Sequence, residues 1–436
     1  MRALFIPSDY GGGLGHVSRC VALAEEFRRQ GDECVFIITE NHRRLLEDLG
    51  FKAYTIPDSK LRNLFLPFSK SRIVQVNGRT DKPVYVEFSS IDYQVTRDGY
   101  LDEFASLRRF KSGLKLIEAL RPDVLIGDIH LLALPWGRNL RLKVVQITRF
   151  MGFPPRPNMI WWKPAPVQTP PDVRQVFAPI CQLANMPEIQ KAADMLKGDV
   201  YLIPSSQEFE PIPTDLLENT FFAGPLLCSW KKQSALSSFR SETGKRRIFI
   251  SIGGGARGVG HLELFRLLVE ALKGLPVEVL ISTSGKFPAS NLSQLPSNFQ
   301  IADWVDGHKA QRWCDLAIYH GGYATTHELL VKGRPGFVLP FHTEQEGNGR
   351  RLEQLKIGAV LPICKEPLET VSYQWRYGQY SFSAGYEIAL TSHDIRNKVA
   401  ALLEDSDLKG RLKTFAESLL AQGGTQKAVQ IIRDTI

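Results

Sequence analysis

Short apolar runs alternate along this chain with longer segments whose apolar residues recur at helical spacing. The first run covers residues 2–7, a helix with apolar positions from Val17 to Phe27 follows, and a second run covers residues 34–39. The same alternation resumes with an apolar run at residues 247–252. Runs that are apolar throughout are typical of parallel strands with helices on both faces. The pattern therefore predicts an α/β protein built from strand–helix–strand units.

Residues 315–358 show this pattern most clearly. An apolar run at residues 316–319 breaks at Gly321-Gly322, and a helix is predicted to follow at residues 323–332. A second strand and a second helix come before Gly358. A Gly-Gly turn that opens a helix presents unpaired backbone N–H groups and the positive end of the helix dipole. This turn is therefore a candidate phosphate site.

Polar side chains near this turn fit the other parts of a nucleotide sugar. His320 and Thr325 would donate hydrogen bonds to a pyrophosphate. Glu328 lies three residues after Thr325, on the same helix face, where its carboxylate would accept bonds from ribose hydroxyls. Glu344 and Gln345, after the next strand, offer acceptors and donors for the hydroxyls of a hexose. These positions together predict a nucleotide-sugar site.

The spacing of these residues resembles the donor-site signature of the inverting nucleotide-sugar glycosyltransferases. This signature is shared by the UDP-glycosyltransferases and the bacterial macrolide-type enzymes. The resemblance implies the GT-B fold, in which two Rossmann-like domains face each other across a cleft. A strand–helix–strand segment with glycines at helix ends explains part of the pattern but not its polar residues. The matching positions are His320, Gly321, Gly322, Thr325, Glu328, Gly333, Pro335, Pro340, Glu344, Gln345 and Asn348.

The first strand is followed by a glycine-rich loop that fits a dinucleotide site poorly. In the frame GxGxxG that starts at Gly11, His16 stands in the place of the third glycine. In the frame that starts at Gly13, Ser18 stands there. Glu40, at the end of the second strand, would still mimic the acid that binds ribose in such folds. A nicotinamide or flavin enzyme therefore remains an alternative.

The sequence Gly-His-Val-Ser-Arg in this loop resembles the Gly-x-His turn of GT-B N-terminal domains. The N-acetylglucosaminyltransferase that makes lipid II has such a turn. In the UDP-glycosyltransferases this histidine removes the proton of the acceptor hydroxyl, and His16 is the matching position. An imidazole, with an ordinary pKa of about 6.5, suits that task at neutral pH. A capping or backbone-bonding role for His16 is the alternative.

A carboxylate is expected beside this histidine. Residues 122–128 are predicted to form a buried parallel strand that ends at Asp128. Ligands in open α/β folds bind at the carboxyl ends of such strands. Asp128 matches the aspartate that pairs with the histidine in the family, where it would stabilise the imidazolium. Loop polarity or a cap for the helix near Leu131 is the alternative.

The second half opens with a strand at residues 247–252 and a glycine loop, and so repeats the first half. The resemblance places Ser251 and Gly254 near the donor phosphates, although glycines are common in any tight turn of this type. It places Trp304 and Val305 against the nucleotide base. A packed aromatic residue at the end of a strand predicted at residues 299–305 is the alternative for Trp304.

Three aromatic-rich segments have no assigned place in this pattern. Residues 58–93 and 149–167 mix aromatic and basic side chains and would suit a large apolar acceptor or a membrane surface. Ordinary loop packing, with Trp161 and Trp162 as core anchors, explains them equally well. Residues 372–386 have no counterpart in the family pattern, and a hairpin near the cleft or a partner surface is expected there.

Length and composition agree with a two-domain soluble protein. At 436 residues the chain exceeds one ordinary core, and the predicted domains are residues 1–228, residues 229–420 and a terminal helix at 421–436 that crosses back. Its six cysteines form no CxxC pair, and its nine histidines form no HExxH motif. The net charge of +8 comes from dispersed residues, which disfavours nucleic acid. The first residues enter a strand at once, so we expect a cytoplasmic protein, with peripheral membrane contact permitted.

The resemblance implies an inverting hexosyltransferase that uses a UDP- or TDP-sugar as co-substrate. The acceptor would be a hydroxyl of an apolar small molecule, a lipid or a glycan. No DxD pair occurs in the donor stretch, so neither a metal ion nor another cofactor is expected. Two alternatives remain: an epimerase or hydrolase that shares the donor site, and a non-catalytic protein that binds nucleotide sugars.

Overall fold

The computed structural model describes most of the chain. The described residues are 1–10, 13–56, 73–154, 158–216, 218–228, 239, 244–253, 261–292 and 294–436.

Three sheets and the helices around them make up the described residues. The strands are β1 (Arg2–Pro7), β2 (Glu33–Ile37), β3 (Lys52–Tyr54), β4 (Val74–Asn77), β5 (Tyr85–Glu87), β6 (Val124–Asp128), β7 (Lys143–Ile147), β8 (Val200–Ile203), β9 (Thr220–Phe222), β10 (Arg246–Ser251), β11 (Val277–Ser282), β12 (Phe299–Ala302), β13 (Leu316–Tyr319), β14 (Gly336–Val338), β15 (Gly358–Val360), β16 (Glu369–Trp375) and β17 (Gly378–Gly385).

The α-helices lie between these strands and after the last one. They are α1 (Gly15–Arg29), α2 (Glu40–Asp48), α3 (Gln94–Arg97), α4 (Glu103–Leu120), α5 (Ala133–Leu140), α6 (Arg174–Leu183), α7 (His261–Leu272), α8 (Gly307–Trp313), α9 (Tyr323–Val331), α10 (Thr343–Gln354), α11 (Ser392–Glu404), α12 (Leu408–Leu420) and α13 (Gly424–Thr435).

The first half is organised around a parallel sheet with strand order β3-β2-β1-β6-β7-β8-β9. Strand β1 shows why both faces of this sheet are apolar. Leu4 and Ile6 pack into one core cluster, and Ala3 and Phe5 pack into another on the opposite face. All four side chains are fully buried. Because neighbouring residues of a strand point to opposite faces, a continuous apolar run is what a doubly covered sheet requires.

The second half repeats this plan with a parallel sheet of strand order β12-β11-β10-β13-β14-β15. Its central strands β10 and β13 pair in register from Ile248 with Leu316 to Ser251 with Tyr319. The carboxyl ends of both strands therefore reach the same edge of the sheet. These two α/β halves confirm the predicted fold class.

A third, antiparallel sheet joins the two halves. Strands β16 and β17 form a hairpin, and its outer edges pair with β4 and β5 of the first half, in the order β4-β16-β17-β5. Trp375 and Tyr380 of the hairpin are 3% and 5% exposed, and they belong to the same core cluster as Phe110 and Trp136 of the first half. The aromatic segment 372–386 is thus a hairpin packed on the first half.

The last helix also returns to the first half. Ala428, Val429 and Ile432 of α13 are buried in one cluster with Phe27 of α1. Arg433 forms an ion pair with Asp32, just before β2. The core of the first half is therefore closed by residues from the end of the chain.

Several predicted elements differ in extent from the observed ones. The strand predicted at residues 299–305 ends at Ala302, so Trp304 and Val305 lie in the loop beyond it. The predicted boundary at residue 228 stays a prediction, because the described chain stops there and resumes only at residues 239 and 244. Of the segment 58–93, residues 58–72 lie outside the described residues. Within the described part, no helix has the length and apolarity to cross a membrane.

Candidate active site

A histidine and an aspartate of the first half are in contact, as the sequence predicted. His16 Nδ1 lies 2.7 Å from Asp128 Oδ1. Asp128 is fully buried, whereas the His16 side chain is 19% exposed. An ionised carboxylate accepts but does not donate, so Nδ1 carries a proton in this contact, and in the neutral ring Nε2 then keeps its lone pair. An imidazole with a free lone pair on Nε2 is equipped to accept a proton from a hydroxyl.

The backbone places the two residues side by side. Helix α1 begins at Gly15, so His16 stands in its first turn. Asp128 is the last residue of β6, which pairs in parallel with β1 and aligns Pro7 with Asp128. Ser8 N donates to the Asp128 carbonyl at 2.9 Å, so the contact between the two segments continues one residue beyond β1. Both groups therefore emerge at the carboxyl edge of the first sheet.

An arginine completes this cluster. Arg19 donates from Nε to Asp128 Oδ2 and from Nη2 to Asp128 Oδ1, both at 2.8 Å. Burial alone would raise the pKa of the Asp128 carboxyl, but the charge of Arg19 and then that of His16 outweigh it, so this pKa lies below its ordinary value. Asp128 is therefore held as a carboxylate.

The second half presents a tightly enclosed histidine at the carboxyl end of β13. A Cβ on Gly253 would lie 2.4 Å from His320 Cε1, and a Cβ on Gly322 would lie 2.4 Å from His320 Nε2. Only glycine fits at these two positions, and Gly253 also has a left-handed φ of +72°. Burial lowers the pKa of His320 to about 4, so the ring is neutral at physiological pH. Its Nδ1 is buried and has no hydrogen-bond partner among the described residues.

Helix α9 starts directly after this histidine. Gly322 is its N-cap, and because glycine has no side chain to cap the first turn, the first N–H groups remain available to an anion. Thr325 lies in that turn and is partly exposed. Glu328, one turn further, accepts a bond of 2.7 Å from Gln311 Nε2 through its Oε2. The sequence-predicted phosphate and ribose residues thus follow one another along a single helix.

Helix α10 supports this turn from the side. Asn348 Nδ2 donates to the Gly321 carbonyl at 2.8 Å. Gln345 Oε1 accepts from the Phe341 N–H at 2.7 Å. Asn348 and Gln345, predicted to bind the donor, therefore also hold the loops around the predicted phosphate and hexose positions.

Glu344 lies at the start of α10 and reaches across to the first half. Arg149 Nη1 donates to Glu344 Oε1 at 2.6 Å. Burial would raise the pKa of the Glu344 carboxyl, but the charges of Arg149 and then His342 outweigh it, with a further contribution from His16, so this pKa is strongly lowered. Glu344 is therefore ionised and lies within electrostatic reach of His16.

Tyr323 connects the two clusters. The guanidinium of Arg19 lies 5.4 Å from the centre of its ring, and that of Arg149 lies 5.3 Å from it. Such distances allow cation–π attraction. One turn further along α9, His327 Nε2 lies 2.8 Å from Ser205 Oγ of the first half. The helix that begins at the candidate phosphate site therefore packs directly against the histidine–aspartate cluster.

The remaining predicted donor residues that the structure describes lie at or just beyond the carboxyl ends of β10 and β12 in the second sheet. Ser251 Oγ lies 3.1 Å from Ser284 Oγ at the ends of β10 and β11. Trp304 is 45% exposed, and a Cβ on Gly285 would lie 2.9 Å from its ring, so the indole rests on a bare stretch of backbone. Val305 is partly buried in the core of the second half. Gly254 lies outside the described residues.

The aromatic segment at residues 149–167 reaches the boundary between the halves. A Cβ on Gly347 of α10 would lie 2.2 Å from Met151 Sδ and 3.1 Å from the Trp162 ring. Trp161 and Trp162 border an open groove of about 830 Å³ together with residues of the second half. They are partly exposed and pack edge to face with a ring separation of 5.8 Å.

Sequence reasoning missed the arginines and the tyrosine of this site. Arg19 lies three residues after His16, a spacing that places both on one helix face, and this signal was available. Arg149 and Tyr323 gave no such signal, because their importance depends on contacts between the two halves. Among the described residues, no cluster of histidine, cysteine or acidic side chains has the arrangement of a metal site.

Comparisons with known proteins agree with this geometry. The family model described as "UDP-glucoronosyl and UDP-glucosyl transferase" matches residues 174–366. An "Uncharacterized glycosyltransferase" of Methanosarcina acetivorans is 27% identical over 84% of this chain and 87% of its own length.

Solved structures of similar fold cover the whole chain. The calicheamicin glycosyltransferase CalG4 has a TM-score of 0.69 at 17% identity and covers 100% of this chain and 98% of its own. The spinosyn rhamnosyltransferase SpnG, complexed with thymidine diphosphate, has a TM-score of 0.68 at 18% identity and covers 99% of this chain and 100% of its own. These folds are the predicted GT-B arrangement. The chain is therefore similar to glycosyltransferases of the UDP-glycosyltransferase type, and it shares its fold with macrolide-type GT-B enzymes.

Proposed function

We propose that this protein is a glycosyltransferase that moves a hexose from a UDP- or TDP-sugar to a hydroxyl of an apolar small-molecule, lipid or glycan acceptor. The transfer inverts the anomeric carbon and uses no metal ion. One observation supports the proposal: the His16–Asp128 pair of the first half is bound by Arg19, whose guanidinium lies 5.4 Å from the ring centre of Tyr323 at the start of the donor-side helix α9.

The acceptor is activated by His16. Nε2 takes the proton of the acceptor hydroxyl while the hydroxyl oxygen forms a bond to the anomeric carbon. Asp128 accepts the hydrogen bond from Nδ1 and stabilises the imidazolium that forms. Because Asp128 is buried and ionised, it fixes both the ring orientation and the tautomer that leaves Nε2 free.

The leaving group is stabilised by the second half. The bond from the anomeric carbon to the diphosphate oxygen breaks, and its electron pair leaves with the nucleoside diphosphate. The N-terminus of α9 after Gly322 supplies backbone N–H groups, with His320 and Thr325 beside them. These fixed donors offset the charge on the diphosphate, which is the task of a metal ion in enzymes that carry a DxD pair.

The nucleotide and the acceptor are proposed by analogy. SpnG was solved with thymidine diphosphate and, in another structure, with spinosyn aglycone. Trp304 offers an exposed indole for stacking against a base, and the groove beside Trp161 and Trp162 offers apolar surface for an acceptor. A membrane contact is not needed for this chemistry.

The test is release of nucleoside diphosphate from a panel of UDP- and TDP-sugars in EDTA, with and without hydroxylated acceptors. Wild type is compared with His16→Ala, Glu328→Ala and a control, His393→Ala, in which the replaced histidine is exposed on α11. Acceptor-dependent release should fall roughly 100-fold or more in His16→Ala. Glu328→Ala should weaken use of the donor, and His393→Ala should behave as wild type.

The product and the acceptor dependence separate the alternatives. An acceptor-linked sugar with inverted anomeric configuration supports the proposal. Release that is independent of acceptor would instead indicate a hydrolase or an epimerase. Donor binding without turnover, unchanged in His16→Ala, would refute catalysis.

A further inference from the structure

Arg19 is more firmly bound to Asp128 than His16 is. Its guanidinium contacts both carboxylate oxygens at 2.8 Å, whereas His16 contacts only Oδ1. Arg19 is 5% exposed and Asp128 is fully buried. A planar fork of two N–H donors fixes both the position and the plane of a carboxylate. The direction of Oδ1 toward His16 is therefore set by Arg19.

The same arginine also reaches the imidazole. Arg19 Nη2 lies 3.0 Å from His16 Nδ1, so its positive charge is close to the ring that must receive a proton. The positive charge of Arg19 offsets the negative charge of Asp128, which would otherwise favour the protonated imidazolium. An imidazole that is already protonated cannot act as a base.

We infer that Arg19 is a positioning residue that holds Asp128 in place and keeps His16 free to accept a proton. This inference rests on the proposed transferase function. Tyr323 of the second half would in turn help to hold Arg19, because the Arg19 guanidinium lies 5.4 Å from the centre of the Tyr323 ring. The arrangement of the base is thereby linked to the helix that begins at the candidate phosphate site.

The charged and titratable groups that face the imidazole come from several elements. Asp128 comes from β6 and Arg19 from α1 itself. Tyr323 of α9 lies over the Arg19 guanidinium, and Glu344 of α10, which is paired with Arg149, interacts with His16 through its charge. Among the described residues, Asp128 and Arg19 are the side chains that lie within 3.0 Å of Nδ1, so a change at Arg19 should dominate the pH response.

The experiment measures kcat and KM between pH 5 and 9 for wild type, Arg19→Gln and Arg19→Lys. In Arg19→Gln the charge of Asp128 is no longer offset, so the acid limb of the kcat/KM profile should move to higher pH. Its kcat should fall at least 10-fold with little change in donor KM. Arg19→Lys keeps the charge, so its acid limb should stay near that of wild type while its kcat falls.

Two further comparisons separate positioning from folding. Arg29→Gln removes an arginine of the same helix whose side chain is 61% exposed, and it should match wild type. In an Asp128→Asn background, Arg19→Gln should add less than a 3-fold loss, because the partner through which Arg19 acts is already neutral. Melting temperature and circular dichroism confirm that each variant is folded.

The outcomes discriminate clearly. An unmoved acid limb in folded Arg19→Gln, or a full loss from Arg19→Gln in the Asp128→Asn background, would overturn the role of Arg19. If Arg19→Gln fails to fold, the Arg19→Lys profile decides, since a displaced acid limb there contradicts the inference. Wild type that transfers no sugar would refute the proposed function, a result distinct from either.

Discussion

Arg149 of the first half and Glu344 of the second half form a charged hydrogen bond of 2.6 Å across the cleft. The Arg149 side chain is 8% exposed and that of Glu344 is 21% exposed, so both charges are largely removed from water. A pair of this kind is costly to break from one side, because the remaining charge stays buried without a partner. The pair therefore couples donor-site geometry to the packing of the two halves.

Replacement of one partner should reveal this coupling. We expect Arg149→Gln to lower the free energy of unfolding by about 2 kcal/mol or more, since Glu344 is left unpaired. The double variant Arg149→Gln/Glu344→Gln should lose less than the sum of the single variants. Urea unfolding followed by tryptophan fluorescence measures all three.

The control is an exposed ion pair. Arg174 contacts Asp172 at 2.7 Å, but their side chains are 58% and 32% exposed. Arg174→Gln should change stability far less than Arg149→Gln does. Strict additivity of the Arg149 and Glu344 variants would contradict the predicted coupling.

Because Gly253 packs closely against the His320 ring, one added methyl group at Gly253 should weaken donor binding. Gly253→Ala would place a Cβ 2.4 Å from the His320 ring and should raise the donor KM at least about 10-fold, because the ring must move. Gly274→Ala is a matched control, because Gly274 has a similar φ of +75° but no atom within 4 Å of its added Cβ.

Kinetics with a saturating acceptor distinguish the two glycine variants. Backbone strain of about 1–2 kcal/mol is common to both, so it cancels in the comparison of their stabilities. A donor KM that rises equally in both variants would show that strain, rather than displacement of His320, is responsible.

The elements that the sequence predicted well are those fixed by local pattern. The apolar run at β1, the turn before α9 and the capped helix at α11 each depend on neighbouring residues. In α11, Thr391 and Asp394 bond reciprocally as a capping box. The contact of His16 with Asp128 followed from resemblance and from the shared edge of parallel strands.

The contacts between the two halves were beyond such reasoning. Arg149 and Glu344 are 195 residues apart in the chain. The hairpin β16–β17 lies in the second half of the sequence, yet its strands pair with β4 and β5 of the first half. A local sequence pattern cannot specify a partner so far away in the sequence. The spacing of apolar residues indicates which face of an element is buried, but not which element covers it.

This hairpin predicts a stability effect far from the candidate site. Trp375 is 3% exposed within the core cluster of the first half. Trp375→Ala should lower the free energy of unfolding by about 3–5 kcal/mol, since a large cavity would remain. Trp304→Ala, with the replaced indole 45% exposed, should lower the free energy of unfolding clearly less than Trp375→Ala does. Equal losses in thermal or urea unfolding would contradict the role of the hairpin.

A buried histidine predicts how stability depends on pH. His130 is 4% exposed and stacks on Trp136 at 5.4 Å, and burial lowers its pKa to about 4. The unfolded chain, with an ordinary histidine pKa of about 6.5, binds a proton before the folded chain does. Stability is therefore full above about pH 6.5 and falls as the pH drops toward 4. His130 should account for about 2 kcal/mol of the loss between pH 7.5 and pH 5.

His130→Gln should remove this part of the pH dependence. The variant loses stability at pH 7.5, because His130 Nδ1 accepts a hydrogen bond of 3.2 Å from the Leu132 N–H. Its stability should nevertheless change less than that of wild type between pH 7.5 and pH 5. His393→Gln, in which an exposed histidine is replaced, should keep the wild-type slope. Urea unfolding at both pH values measures the difference, and an unchanged slope in His130→Gln would show that His130 is protonated equally in the folded and unfolded chains.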